Sequence, residues 1–192
     1  MARIKFCGMT NLDDCMEAVD LSVDFIGFVF YVKSRRYILP ARARRIIEKL
    51  DGKIKTVGVF VEESDDQIAD ILDYCSLDFA QVYRPSSIIN KITVYRIADR
   101  LPDHIGEGLM LFDTYAAGYG GSGTSFDFSL LKTCPVLDRA FVAGGINSEN
   151  VEEVLRLNPF GVDLVSSIES SPGKKDHRKM ELFVNKVRGF EI

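Results

Sequence analysis

The sequence has no tryptophan, two histidines and four well-separated cysteines, at positions 7, 15, 75 and 134. No C-x-x-C pair occurs. A zinc site built on close cysteine pairs and a cysteine-dense disulfide scaffold are both excluded, and the thiols read as reduced and separate. An excess of one charge sign is also missing: 24 Lys+Arg against 28 Asp+Glu leave a net charge of −4. A nucleic-acid binder would carry a basic surplus. No apolar run approaches the ~18 residues that span a bilayer. After Met1-Ala2-Arg3 the apolar stretch breaks at Gly8, short of the ~7–15 residues of a secretory core. The expectation is a cytoplasmic protein with no nucleic-acid and no membrane partner. No Gly-rich dinucleotide turn opens the chain, which counts against a doubly wound sheet.

What is present is a regular beat of short apolar runs. They are Arg3–Cys7, Asp24–Phe30, Lys55–Val61, Asp78–Val82, Ile92–Ile97, Leu109–Phe112, Ala140–Ala143 and Val162–Val165. Most are bounded by Gly, Asp, Asn or Ser, as strands buried on both faces are. Between them lie amphipathic segments. Asn11–Leu21 has a cap residue and acidic first-turn residues, and Pro40–Leu50 opens on proline. Ser64–Tyr74, Asn147–Leu157 and His177–Val187 repeat the apolar stripe. Strands alternating with helices imply a parallel sheet. Eight candidate strands in 192 residues leave 24 residues per unit. That is close to the minimum for a βα unit. The reading is one α/β domain over residues 1–192, a compact single-domain (β/α)8 TIM barrel. Leu101–Gly106 is too brief for a full helix, so a shortened helix is expected after the fifth strand.

In such a barrel the active site lies at the C-terminal ends of the strands. Gly144-Gly145 after the seventh strand and Ser166-Ser167 after the eighth sit where these barrels bind phosphate through backbone N–H groups. A plain strand-to-helix turn is the alternative for the glycine pair. Cys7 is the one thiol at a strand's C-terminal end. It reads either as a base or nucleophile facing the mouth or as a small buried hydrophobe. Gln81 and Asp113 end the fourth and sixth strands. A Gly-rich loop, Gly118–Thr124, leads to Phe126-Asp127-Phe128. Asp127 fits a helix N-cap and equally a general acid carried by a mobile loop. Of the adjacent Arg35 and Arg36, one suits a surface charge and the other a two-pronged clamp on a carboxylate.

These segments together resemble the phosphoribosylanthranilate isomerases of tryptophan biosynthesis. The resemblance rests on Lys5-Phe6-Cys7-Gly8-Met9-Thr10, Asp24–Phe30, Ser34-Arg35-Arg36-Tyr37-Ile38 and Val57–Phe60. Leu111–Thr114, Gly120–Gly123, Phe126-Asp127-Phe128, Ala143–Asn147 and Pro172–Asp176 extend it along the chain. It implies an aldose-to-ketose isomerisation of N-(5-phosphoribosyl)anthranilate, an Amadori rearrangement that uses no cofactor and no metal. By that likeness Asp127 is the general acid that opens the ribose ring, and Cys7 is the base at C2′; as a base it must be partly thiolate, which Lys5 or the positive potential of the site would favour. Arg36 holds the anthranilate carboxylate, Gly144, Gly145, Ser166 and Ser167 bind the phosphate, and Gln81 and Asp113 complete the substrate site. The pattern departs at Tyr83, where the family has His, at Thr124 in place of Lys or Arg, and at Ser167 in place of Gly. Two other readings fit the sequence: a catalytically weak sugar-phosphate-binding barrel, and an isomerase of a related aminoaldose phosphate. The partner is a small anionic molecule, and both monomer and homodimer remain open.

Overall fold

The computed structural model describes residues 1–115 and 125–190. The Gly118–Thr124 loop lies outside them. Eight parallel strands close into a barrel in sequence order. They are β1 (Arg3–Phe6), β2 (Phe25–Val29), β3 (Lys55–Phe60), β4 (Phe79–Val82), β5 (Lys91–Ile97), β6 (Leu109–Thr114), β7 (Ala140–Val142) and β8 (Gly161–Leu164). The seam closes by β1 pairing with β8, with Lys5 opposite Asp163. Every residue of β2 is buried, which is why Phe25-Ile26-Gly27-Phe28-Val29 shows no polar alternation.

The first three connections are helical, for local reasons. In α1 (Leu12–Asp20) the Asn11 side chain caps the backbone N–H of Asp14. Helix α2 (Pro40–Leu50) starts on proline and ends at Asp51 in the left-handed region. Helix α3 (Asp65–Cys75) opens on a capping box in which Ser64 and Gln67 satisfy each other's backbone N–H.

Strict alternation then stops. Among the described residues, the connections 83–90 and 98–108 hold no helix. The shortened helix expected after the fifth strand is therefore absent altogether. Pro85 interrupts the first connection, and Pro102, Gly106 and Gly108 (φ +83°) interrupt the second. After β6 the chain makes a 3-10 turn, Phe128–Thr133, instead of an α-helix; it stops before Pro135. The helix expected over Asn147–Leu157 shrinks to α4 (Val151–Leu155). The Asn147 side chain accepts from the N–H groups of Glu149 and Asn150, and that turn displaces the first helical residues.

After β8 a 3-10 turn (Ser166–Ile168) leads into an antiparallel hairpin, β9 (Glu169–Ser171) and β10 (Lys174–Lys175). Helix α5 (His177–Arg188), capped by Asp176, completes the ring. The barrel interior is packed near its base by Phe25, Val57, Ile92, Val94, Leu111 and Phe141. Phe25 and Phe141 meet edge to face there, with centroids 5.3 Å apart. Above them lies a second apolar layer of Val29, Tyr31, Val59 and Val61, and this layer contains Cys7. No helix among the described residues is long and apolar enough to cross a membrane.

Candidate active site

The C-terminal ends of the strands enclose a cleft of ≈ 910 Å³, its open mouth included. Its lining contains Cys7, Arg36, Gln81, Asp113, Gly144, Gly145, Ser166 and Ser167. The structure thus gathers residues from six strands or their following loops that the sequence scatters over 160 positions (167 − 7). Asp127 does not join them. It is exposed, and its carboxylate accepts the backbone N–H of Ser129 at 2.9 Å to cap the 3-10 turn. That bond holds its pKa below the ordinary carboxylate value. In this structure Asp127 serves as the cap of that turn and is absent from the lining of the cleft.

Asp113 stands in a different environment. It ends β6 inside the cleft. Burial, reinforced by the nearby Asp163 carboxylate, raises its pKa from 3.8 to about 6. The backbone at Thr114, Arg96 and Tyr83 oppose the rise. The Tyr83 hydroxyl stands 3.5 Å from Asp113 Oδ2. Tyr83, the departure at the fourth strand, therefore faces the acid directly.

Cys7 follows β1 across the barrel from Asp113. Room for its sulfur comes from β2. A Cβ at Gly27 would stand 2.7 Å from Cys7 Sγ, so only glycine leaves the thiol its place. Burial pushes the Cys7 thiol up, while Lys5 and Lys175 pull it down. Burial outweighs them, so the thiol lies above its ordinary value, and Lys5 limits the rise.

Arg35 and Arg36, adjacent in the turn after β2, diverge. Arg35 is exposed, and Arg36 turns into the cleft. Arg36 Nε and Nη2 reach the two oxygens of Glu169 at 2.9 and 2.7 Å. This pair ties the loop after β2 to the hairpin after β8, and it holds the guanidinium in one orientation. Gly8, at φ +76°, lets the arginine pass; a Cβ there would come within 2.7 Å of Arg36 Cδ. Despite burial, the Arg36 fork, Lys175 and the Gly173 N–H keep Glu169 below the usual carboxylate range.

On the opposite side, Gly144 (φ +83°) and Gly145 (φ +69°) follow β7, and Ser166 and Ser167 follow β8. Two buried side-chain oxygens among the described residues meet no partner: Gln81 Oε1 and Ser167 Oγ. Both belong to residues lining the cleft. An unpaired buried oxygen is costly, and a bound polar molecule would relieve it.

The sequence gives Lys5 a role beside Cys7 but assigns none to its partner Asp163, nor to Glu169, Gly27 and Lys175. A hydrophobic count hides a lysine and an aspartate inside strands. Their signal was positional: two opposite charges in otherwise apolar runs, which the seam between β1 and β8 brings face to face.

A family model described as N-(5′phosphoribosyl)anthranilate (PRA) isomerase matches residues 4–186. The chain is 38% identical over 206 residues to N-(5′-phosphoribosyl)anthranilate isomerase of Thermotoga maritima, with 98% of this chain and 100% of that one covered. The crystal structure of phosphoribosyl anthranilate isomerase from Thermus thermophilus superposes with a TM-score of 0.87 at 28% identity, covering 97% of this chain and 98% of that one. A phosphoribosyl anthranilate isomerase in complex with reduced 1-(o-carboxyphenylamino)-1-deoxyribulose 5-phosphate superposes with a TM-score of 0.81 at 33% identity, covering 99% of this chain and 100% of that one.

Proposed function

The chain belongs to the N-(5′-phosphoribosyl)anthranilate isomerase family, and from that premise we propose how the groups in its barrel mouth divide the work. The reaction converts N-(5′-phosphoribosyl)anthranilate to 1-(2-carboxyphenylamino)-1-deoxyribulose 5-phosphate in tryptophan biosynthesis. We assign the route as an Amadori rearrangement. Asp113, neutral below about pH 6, gives its proton to the ribose ring oxygen. The C1′–O bond breaks as the nitrogen lone pair forms the C1′=N iminium. Cys7, as thiolate, removes the proton from C2′, and the electrons of that bond form the C1′=C2′ enolamine. Tautomerisation then returns a proton to C1′ and gives the ketone. Hydrogen moves within the substrate, so the step balances without a redox cofactor.

The cleft suits the two ends of this substrate. Gly144, Gly145, Ser166 and Ser167 receive the phosphate through backbone N–H groups, with the Ser167 hydroxyl as an added donor. Arg36 faces the carboxylate, and Val29, Tyr31, Val59 and Val61 wall the aromatic ring. Gln81 Oε1 accepts from a substrate hydroxyl or N–H. An acidic chain thereby captures a polyanion by local groups against its overall charge of −4. Such a biosynthetic step fits a cytoplasmic location.

The observation that carries the assignment is the pairing of Cys7 and Asp113 in one cleft with Asp127 outside it. The test is substrate consumption by wild type, Cys7→Ser, Asp113→Asn and Asp127→Ala. The first two substitutions lower kcat by at least about a hundredfold, the span of a general acid or base. Asp127→Ala keeps kcat within a few-fold. Loss of turnover in Asp127→Ala with retention in Asp113→Asn reverses the assignment of the acid. A wild type that binds the phosphate ligand without turnover is a binding module instead.

A further inference from the structure

Beneath the cleft lies a charge pair that none of the steps above uses. Lys5 is fully buried, and its Nζ stands 2.7 Å from Asp163 Oδ1, itself only 5% exposed. Their strands pair at this position across the seam of the barrel. Cys7 is two residues beyond Lys5, so both side chains point into the interior from the same strand. The Lys5 charge acts on the thiol from there and pulls its pKa down against burial.

Stability does not explain such a pair. Two charges lose their hydration inside a barrel, and apolar replacements of similar volume are often neutral or stabilising. The other groups facing Cys7 have other commitments. Lys175, from β10, spends its three donors on Cys7 O at 2.6 Å, Val165 O at 3.2 Å and Glu169 Oε1 at 3.3 Å. Arg36 is held by both oxygens of Glu169. Tyr83, from β4, and Asp113, from β6, line the same cleft, and the Asp163 carboxylate favours the neutral thiol, though less than Lys5 opposes it. Lys5 is then the cation with a donor available to the sulfur, and Asp163 is the partner that keeps that cation charged in a buried place.

We propose that Lys5, held ionised by Asp163, is the positioning residue that sets the thiolate population of Cys7 and holds the sulfur towards the substrate. The proposal rests on Cys7 serving as the base. The geometry divides the labour: Asp163 opposes burial for Lys5, and Lys5 opposes burial for Cys7. Burial acts against both charges; Asp163 outweighs it at Lys5, and Lys5 offsets part of it at Cys7.

The measurement is the pH dependence of Cys7 alkylation by iodoacetamide, with the modified peptide identified by mass. It compares wild type with Lys5→Met and with the paired Lys5→Met/Asp163→Leu. The paired variant removes both charges, leaves none stranded, and keeps the fold even where Lys5→Met alone unfolds. Its thiol titrates at least about one pH unit higher than wild type, a tenfold smaller thiolate fraction at a given pH. Its kcat falls by at least as much, and raising the pH recovers turnover. An unchanged alkylation profile in a folded paired variant overturns the proposal. Turnover retained by Cys7→Ser overturns the base assignment instead. Alkylation reads the thiol without catalysis, so the two failures are distinguishable.

Discussion

At the scale of single residues, Asp113 sets protein stability against chemistry. Its pKa of about 6 exceeds the unfolded value of 3.8, so folding favours the protonated form. That contribution is fully present below the unfolded pKa and is lost as pH rises through about 6. Two units amount to about 3 kcal/mol. Asp113→Asn is therefore expected to be more stable than wild type at pH 8, by on the order of 2 kcal/mol, and close to it near pH 4. Urea denaturation at the two pH values measures this, and an equal difference at both would mean that the carboxyl is not held neutral by the fold. On the proposed assignment the same titration limits turnover, which then requires a protonated Asp113 and an ionised Cys7 together. The acid form fades above about pH 6. The alkaline limb of the kcat/KM profile should therefore begin there, and Tyr83→Phe should move it upwards, because the hydroxyl that favours the carboxylate is gone.

At the scale of elements, the two ends of the chain were the most legible. Apolar runs with bounding turn residues locate all eight strands, and the caps Asn11, Ser64 and Asp176 sit where their residue types predict. The lack of α-helices among the described residues after β4, β5 and β6 was illegible because periodicity shows only that apolar residues are present. Proline and backbone turns then decide whether a helix covers the strand. Of the two uses the sequence offers Asp127, the cap is the one its residue type makes legible, and the structure shows that bond. Asp113 was named only as a binding residue, since nothing in a strand end reports burial. Gly27 is the sharpest case of an element shaped for a neighbour. Gly27→Ala places a methyl group against Cys7 Sγ, 2.7 Å away, inside a packed strand. The expected result is a loss of about 1–3 kcal/mol with turnover largely abolished by displacement of the thiol. An unchanged urea midpoint together with full kcat would show that the sulfur has room elsewhere.

At the scale of the molecule, helical cover is uneven. Helices α1, α2 and α3 shield the strands of the first half, whereas β5 is flanked by connections without helices and leaves alternate residues half-buried. Opening free energies follow local packing. Amide hydrogen exchange is thus expected to run faster in β5 than in β2, all of whose residues are buried. Equal protection in the two strands would mean that the barrel opens as one unit. The contacts that hold the mouth have a different distribution. Lys5 with Asp163, Arg36 with Glu169, and the Cys7 carbonyl with Lys175 each join the beginning of the chain to its end. Their partners are separated by 158, 133 and 168 residues. On the ribosome the early partners emerge long before the late ones exist. Contacts this remote in sequence form only after the intervening chain has been ordered. Catalytic competence is consequently a late event in the life of each molecule, and a nascent or truncated copy holds a cysteine and an arginine without the company that gives either one a function.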